Sequence, residues 1–198
     1  MPVVVVNSGG ANISSVLHAL RRLGVEPQFT ADAAIISAAD RVILPGVGAA
    51  GRAMDVLKSH GLVDVIRSLQ QPVLGICLGM QLLFESSEED NAEMLGLIPA
   101  RLDRFSASEG LRVPHMGWNA IKNVCQDSLN RSLDNMWFYF VHSFFAPVGK
   151  WTLSTSHHGR PFSAIVRHRN FYGAQFHPER SAKGGAKLLQ GFLEIPLQ

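Results

Sequence analysis

Short apolar runs separated by stretches with helical spacing constrain the fold of this chain most. The runs "VVVV" at 3–6, "RVILPGVG" at 41–48 and "PVLGI" at 72–76 are too short for buried helices and are rich in β-branched residues. Each is bounded by Pro or Gly, which indicates buried strands. Strands that alternate with helices in this way are typical of an α/β fold with a mostly parallel sheet.

The helical patterns fall between and after these runs. The first has Ile13, Val16, Leu17 and Leu20 on one face. Asn12 is its expected N-cap, and Gly24 its expected stop. A short strand is predicted over 28–30. Further helices are predicted over 53–58, 62–69, 78–87 and near the C-terminus, where Leu188, Leu189, Phe192 and Leu193 share a stripe.

The second half of the chain has a different pattern. Six short strand candidates are separated by Gly, Pro, Asn and Asp, and several are expected to be antiparallel: "RLDRF", "GWNAIKNV", "WFYFVHSF", "WTLSTS", "FSAIVR" and "FYGAQF". We therefore predict one domain over 1–198, with a mainly parallel central sheet flanked by helices and an antiparallel extension in the C-terminal half.

Composition narrows the class of function. The chain has 198 residues with 46% hydrophobic and 17% charged residues, and its net charge of +2 without a basic tract gives no sign of a nucleic-acid partner. No apolar stretch has the length of a membrane helix, and the N-terminus lacks the features of a signal peptide. With only two cysteines, we expect a cytoplasmic protein without a structural disulfide and without a membrane partner.

Cys77 lies where a strand is followed at once by a helix. In "GICLG" at 75–79, glycines stand two positions before and after it, as in a nucleophile elbow. Such a turn strains the central residue, and a side chain at either glycine would collide with the neighbouring strand or helix. The thiol would then project above the carboxyl end of the sheet, at a helix N-terminus that favours the reactive thiolate.

The motif alone also fits an inert cysteine buried in a strand that contains glycines, and both interpretations stay open on these residues. Cys125, in "IKNVCQDS", has no comparable setting, and we interpret it as structural.

A nucleophilic thiol needs a base, and His177 is the candidate among eight histidines. It follows a predicted strand, and Pro178 ends the pairing of that strand. Glu179, two positions on, would point the same way in extended chain and could orient the imidazole. A strand-end histidine beside a solvated glutamate is the alternative.

Five segments together resemble a known family. "LPGVG" at 44–48, "GICLGMQ" at 75–81 and "GAQFHPERS" at 173–181 resemble class I glutamine amidotransferases, which have a flavodoxin-like fold. "PHMGWN" at 114–119 and "YFVHSF" at 139–144 are similar to the glutaminase subunits of imidazole glycerol phosphate synthase. The first strand departs from the family pattern, since it ends at Asn7 where an aspartate-containing turn is usual.

The resemblance implies a catalytic role for three residues. Cys77 would attack the side-chain amide of L-glutamine, His177 would carry the thiol proton to ammonia, and Glu179 would orient His177. A γ-glutamyl thioester would form and be hydrolysed. One backbone N–H group for the oxyanion would come from Leu78, and the other from "GVG" at 46–48, through Val47 or Gly48.

The resemblance also implies a ligand site and a partner. The implied glutamine-binding residues are Gln81, Glu89, His142 and Ser143, although Glu89 lies in an acidic run that could equally be solvated. The family pairs this subunit with a (β/α)₈-barrel cyclase, HisF, and uses no cofactor or metal. Arg180 is interpreted as a partner contact, with a merely exposed arginine as the alternative. Gly46 and Gly48 would let the loop around Val47 turn its N–H groups toward the oxyanion only in the liganded complex.

Two other functions remain as alternatives. One is the glutaminase of another ammonia-channelling synthase, such as the pyridoxal phosphate type, or a γ-glutamyl hydrolase; "PHMGWN" argues against both. The other is a non-enzymatic, flavodoxin-like module with a redox-sensing cysteine, which would not need the His-Pro-Glu sequence.

Overall fold

The computed structural model describes residues 1–9, 13–107 and 111–197. Its strands are β1 (Val3–Val6), β2 (Gln28–Thr30), β3 (Arg41–Gly46), β4 (Val73–Cys77), β5 (Phe84–Ser87), β6 (Ile98–Arg104), β7 (His115–Ala120), β8 (Lys122–Asn123), β9 (Trp137–His142), β10 (Phe144–Phe145), β11 (Thr152–His158), β12 (Arg160–His168) and β13 (Phe171–Ala174). Its helices are α1 (Ile13–Arg22), α2 (Ala33–Ala38), α3 (Ala50–Ser59), α4 (Leu62–Ser68), α5 (Leu78–Gln81) and α6 (Ala182–Leu193), with a 3₁₀ turn at Pro178–Arg180.

The central sheet is mixed, as predicted. Among the described residues it has eight strands in the order β2-β1-β3-β4-β13-β12-β11-β8. The first five in this order are parallel to one another, and β12, β11 and β8 extend the sheet with antiparallel pairing. The expected mainly parallel sheet with an antiparallel C-terminal extension is therefore confirmed.

Four of the five parallel strands, β1, β3, β4 and β13, are buried on both faces because helices cover each side, whereas the edge strand β2 is largely exposed. Alternate residues of β1 belong to different cores: Val3 and Val5 pack in the layer with α1 and α6, whereas Val4 and Val6 pack in the layer with α2, α3 and α4. A fully buried leucine such as Leu20 contributes about 1.5–3 kcal/mol relative to an exposed one. This two-sided burial explains why the strands are continuous apolar runs in the sequence.

Local signals explain several helix ends. Gly24 follows α1 with φ +79°, a conformation that favours glycine, and its N–H donates to the carbonyl of Arg21 at 2.9 Å. The predicted cap Asn12 lies outside the described residues. Helix α2, which the apolar spacing did not predict, begins at an aspartate cap: one carboxylate oxygen of Asp32 accepts from the N–H groups of Ala34 and Ile35, at 2.8 and 3.0 Å.

The predicted helix over 78–87 is wrong beyond its first turn. Helix α5 ends at Gln81, and β5 begins at Phe84. The carbonyl of Leu83 accepts from the N–H groups of Leu97 and Ile98, at 3.0 and 2.8 Å, so this backbone pairs with the chain leading into β6. The apolar run was misread because buried strands and buried helices have the same composition.

Two smaller sheets lie outside the central one. Strands β10, β6 and β5 form one, and the antiparallel pair β7–β9 forms the other. At the turn after β1, the side-chain oxygen of Asn7 accepts from the N–H of Gly9 at 3.2 Å, so Asn7 itself makes the turn where the family pattern has aspartate. Across the described ranges, none of the helices is long and apolar enough to cross a membrane.

Candidate active site

The thiol of Cys77 stands on a strained bend between β4 and α5. Its backbone has φ 53° and ψ −109°, a region that L-residues rarely adopt. Such a conformation costs on the order of 1–3 kcal/mol and persists only where the surroundings enforce it. Helix α5 contains only four residues, so the helix dipole that the sequence suggested is limited to a single turn.

Two glycines make the bend sterically feasible. A Cβ on Gly75 would lie 2.5 Å from the carbonyl oxygen of Gly79, and a Cβ on Gly79 would overlap the carbonyl of Leu44, 2.7 Å from its carbon. Backbone atoms occupy both positions, so no side-chain rearrangement could relieve the overlap. The prediction that only glycine fits two positions before and two positions after Cys77 is confirmed.

A cavity of about 260 Å³ opens beside the thiol. Its lining includes nine of the residues that the sequence singled out: Val47, Gly48, Cys77, Leu78, Gln81, Glu89, His142, Ser143 and His177. These residues come from five separate segments of the chain. The segments that follow β3, β4 and β13 meet because these strands are neighbours that end at the same edge of the sheet.

The pairing of β13 with β4 brings His177 to this cavity from a hundred positions downstream. The Nδ1–H of His177 donates to Oε1 of Glu179 at 2.8 Å, and the two side chains are only 4% and 2% exposed. The route differs from the predicted one. Pro178–Arg180 forms a 3₁₀ turn, so Glu179 reaches the imidazole by folding back and not along extended chain.

The imidazole is poised to hold a proton. Burial by itself opposes a charge on the ring, but interactions with Cys77 and Glu179 outweigh it and raise the pKa of His177 to about 10. Nothing in the described part of the chain hydrogen-bonds to its buried Nε2. The Cys77 S–H points instead at the carbonyl of Val141, 3.9 Å away. Thiol, imidazole and carboxylate in this arrangement can generate a nucleophile and return its proton to a leaving group.

Gln81 and Glu89 each have a defined partner. The side-chain nitrogen of Gln81 donates to the carbonyl of Phe144 and to Oε1 of Gln175, both at 3.0 Å. Oε2 of Glu89 accepts from the N–H of Ala50 at 2.7 Å, which ties the acidic loop to the start of α3. Glu89 is thus anchored at the cavity and is not part of a purely solvated run.

His142 lines the cavity and belongs to a buried histidine pair with His115. Its Nδ1–H donates to the carbonyl of Phe144 at 2.7 Å, and its Nε2 lies 3.0 Å from Nδ1 of His115. Burial lowers the pKa of His142 to about 3, and burial together with nearby His158 lowers the pKa of His115 to about 4. Both rings are therefore neutral at pH 7, with fixed tautomers.

Two residues that the sequence did not assign are part of the site. Gln175 is fully buried, and its Nε2 lies 3.8 Å from the sulfur of Cys77. His115 supports His142. The signal for Gln175 was a single polar residue in the apolar strand "FYGAQF", since a buried amide needs partners. Cys125, interpreted as structural, is instead exposed, and its backbone N–H donates to the carbonyl of Leu153 at 3.2 Å.

Arg180 lies outside the cavity, next to an apolar surface. Its guanidinium is 5.5 Å from the centre of the Tyr139 ring. On one face of the β7–β9 sheet, exposed and half-buried residues pair across the strands: Met116 with Val141, Trp118 with Tyr139, and Ala120 with Trp137. We call this set the β7–β9 face. It borders the cavity through Val141.

Comparison with known proteins gives a consistent family. The glutamine amidotransferase class-I family matches residues 4–195. The chain is 50% identical to the imidazole glycerol phosphate synthase subunit HisH of Idiomarina loihiensis, with 100% of both chains covered. It is 50% identical to HisH of Xanthomonas euvesicatoria pv. vesicatoria, with 98% of this chain and 97% of the relative covered. Against HisH of Escherichia coli K12 the identity is 47%, with 98% and 100% covered.

Solved structures support the fold alone. One described as a glutamine amidotransferase has a TM-score of 0.75 at 20% identity and covers 96% of this chain and 97% of its own. A glutamine amidotransferase from Thermotoga maritima has a TM-score of 0.67 at 18% identity, with 98% and 83% covered.

Proposed function

The chain belongs to the class I glutamine amidotransferases, and we propose that within this family it is the glutaminase subunit of imidazole glycerol phosphate synthase in histidine biosynthesis. It would hydrolyse L-glutamine to glutamate and pass the ammonia to a cyclase. The observation that carries the proposal is that Cys77 and His177 line one cavity and Glu179 holds the imidazole at 2.8 Å, in a chain about half identical to HisH proteins over its full length.

The proposed reaction starts from the ion pair in which Cys77 has given its proton to Nε2 of His177, the form that the raised pKa of His177 favours. The sulfur then attacks the side-chain carbonyl carbon of glutamine, and the carbonyl oxygen becomes an oxyanion. Collapse of this intermediate breaks the C–N bond, and His177 gives its proton to the departing nitrogen, which leaves as ammonia. Water, deprotonated by His177, hydrolyses the γ-glutamyl thioester to glutamate and restores the thiol. Glu179 keeps the imidazole in one tautomer throughout.

The oxyanion would be held by backbone N–H groups of Leu78 and of Val47 or Gly48. One such donor is worth about 10²–10³ in turnover. Gly48 has φ +100°, and a Cβ there would meet open space, so the loop has room to change its peptide orientation. We propose that a donor of this loop turns inward only when partner and ligand are bound, which would limit wasteful hydrolysis.

The glutamine would lie along the residues that line the cavity. Glu89 would receive the α-amino group, Gln81 would hold the ligand through its remaining polar atom, and the backbone around His142 and Ser143 would face the α-carboxylate. The volume of about 260 Å³ suits one small amino acid, since drug-sized pockets begin at roughly 300 Å³.

A second polypeptide is needed to use the ammonia. HisH relatives carry the name of a synthase subunit, and we propose a (β/α)₈-barrel cyclase, HisF, as the partner that forms imidazole glycerol phosphate and an aminoimidazole carboxamide ribonucleotide. The β7–β9 face supports a docking surface here, because it is apolar, exposed and adjacent to the cavity. Arg180 would contact the partner at its edge, so Arg180→Glu should weaken the complex.

The cell compartment and domain structure follow as further parts of the proposal. Two free thiols, one of them exposed, suit a reducing cytoplasm. Residues 1–198 would act as one amidotransferase domain.

A glutaminase assay with and without the cyclase and its nucleotide tests the proposal. We expect glutamate production that rises strongly in the liganded complex and is lost in Cys77→Ala. Cys125→Ser is the matched control, since its thiol is exposed and outside the cavity. A glutamine-mimicking electrophile should modify Cys77, with protection by glutamine. Full activity in Cys77→Ala, or label only on Cys125, would refute the assignment.

A further inference from the structure

We propose that Gln175 donates a hydrogen bond to the sulfur of Cys77 and stabilises the thiolate that attacks glutamine. The inference rests on the proposed glutaminase function, and it adds a residue that contacts the reacting atom. It is carried by the contact itself and by a chain of hydrogen bonds that fixes which end of the Gln175 amide faces the sulfur.

The contact is a built feature of the core. Gln175 follows β13 and is fully buried, and its backbone N–H donates to the carbonyl of Ala164 at 2.9 Å. Its Nε2 lies 3.8 Å from Sγ of Cys77, within the range of hydrogen bonds to sulfur. Most buried side-chain polar atoms have a hydrogen-bond partner, and here Oε1 of Gln175 accepts from Gln81 while its Nε2 faces the sulfur.

The orientation of the amide follows from its neighbours. The carbonyl of Phe144 can only accept, so the side-chain atom of Gln81 at 3.0 Å from it must be the nitrogen. That nitrogen also lies 3.0 Å from Gln175, so the facing atom of Gln175 must be its oxygen. The NH₂ group of Gln175 is therefore left to face the sulfur.

The first group in this series of hydrogen bonds, the carbonyl of Phe144, is itself held in place. The carbonyl of Phe144 also accepts the Nδ1–H of His142 at 2.7 Å, and Nε2 of His142 in turn accepts from His115 at 3.0 Å. Both rings are buried and neutral, so their donors do not change direction near pH 7. Reversing the Gln81 amide would place two acceptors against each other, a costly arrangement in a buried site.

The donor matters most once the sulfur has lost its proton. In the thiol form, S–H points at the carbonyl of Val141, which is 3.9 Å away. After the proton moves to His177, that carbonyl faces an anion and gives no stabilisation. The side-chain N–H of Gln175 still faces the sulfur, and its hydrogen bond to the thiolate is now charge-assisted. Cys77 is only 7% exposed, so little water competes for this bond.

The test is the pH dependence of Cys77 alkylation by iodoacetamide, measured in a Cys125→Ser background. Gln175→Met removes the donor at similar volume, and Gln175→Glu keeps the acceptor for Gln81 but turns a carboxylate oxygen to the sulfur. For Gln175→Met we expect the midpoint of the rate profile to rise by about one pH unit, which makes alkylation about tenfold slower at pH values below the midpoint. For Gln175→Glu we expect a larger rise. Gln28→Glu, which changes the same charge on exposed β2, should leave the midpoint unchanged.

A second measurement does not depend on variants of Gln175. The side-chain NH₂ resonances of Gln175 should move as the pH passes the alkylation midpoint of the wild-type chain, and should not move in Cys77→Ser.

In the complex, both Gln175 variants should lose about tenfold or more in kcat with little change in KM.

The inference would be overturned if folded Gln175 variants had the wild-type midpoint of Cys77 alkylation. It would also be overturned if the side-chain NH₂ resonances of Gln175 did not change when Cys77 loses its proton. These outcomes differ from failure of the proposed function. In that case the wild-type chain would release no glutamate from glutamine, whatever the alkylation profile of Cys77.

Discussion

Gly185 and Gly191, both in α6, should respond in opposite ways to substitution by alanine. A Cβ on Gly191 would find its nearest neighbour at 3.6 Å, the carbonyl oxygen of Leu129, which is ordinary contact. A Cβ on Gly185 would overlap the carbonyl of Pro178 and lie 2.6 Å from its carbon. Helix propensity favours alanine at both positions, so only the contact separates them.

The expected magnitudes follow from these distances. At Gly191 the gain should be about 0.5–1 kcal/mol, the usual difference between glycine and alanine in a helix. At Gly185 the carbonyl carbon of Pro178 has to move by about 1 Å to reach a normal separation of about 3.5 Å. Overpacking of this kind costs about 1–3 kcal/mol, which outweighs the propensity gain.

The displaced residue is the link between His177 and Glu179. The hydroxyl of Ser181 also donates to the carbonyl of His177 at 2.6 Å and accepts from the N–H of Tyr139 at 3.0 Å, so the 3₁₀ turn has little freedom to relax elsewhere. A shift near 1 Å at a catalytic group can cost about 10²-fold in rate. Gly185→Ala should therefore lose activity in addition to stability.

Urea unfolding of both variants, with glutamate production by the refolded complex, measures the two effects. Gly191→Ala serves as the control for helix propensity and should retain full activity. If Gly185→Ala matched Gly191→Ala in unfolding midpoint and in kcat, the argument that α6 presses on the His177–Glu179 turn would be refuted.

Other predictions concern protonation and buried polar groups. Because the pKa of His177 in the folded chain, about 10, lies above its ordinary value of 6.5, its stabilising contribution is complete below about pH 6.5 and is lost as pH rises toward 10. Glu179→Gln should lower the pKa of His177 by about 1–3 units, measured by NMR titration, and should reduce the loss of stability at alkaline pH, measured by urea unfolding. An unchanged NMR midpoint would contradict this. Asn130→Ala should cost about 1–3 kcal/mol, because its buried amide donates to the carbonyls of Cys125 and Leu153 at 2.8 and 3.0 Å; wild-type urea stability would exclude this. Arg41→Met should lower the thermal midpoint, since the guanidinium binds carbonyl groups at the end of α6; an unchanged midpoint would count against that role.

The sequence predicted those parts of the fold that depend on local pattern. Buried parallel strands such as β1 and β4 are recognisable because two-sided burial requires continuous apolar residues. The same property led to the wrong prediction over 78–87, because residues 78–84 are all buried and so lack the periodicity that would separate strand from helix. Helix α2 was missed because its six residues bury only Ile36, and its clearest signal is the cap at Asp32.

The candidate site was predicted in part for a similar reason. Residues at strand ends, such as Cys77 and His177, are marked by the glycines and proline that shape their turns. Glu179 reaches His177 through a 3₁₀ turn, and the two-residue spacing between them in the sequence does not reveal that turn. The contact of Gln175 with the sulfur requires three segments to pack together, and no local pattern encodes that.

The position of β13 in the sheet has a consequence for synthesis of the chain. Strand β13 pairs with β4 on one side and β12 on the other, although paired residues of β13 and β4, such as Phe171 and Val73, are 98 positions apart in the sequence. A nascent chain on the ribosome therefore leaves the edge of β4 unpaired until Phe171–Ala174 has emerged. Until that late stage the thiol of Cys77 has no imidazole beside it, so an unfinished polypeptide cannot consume glutamine.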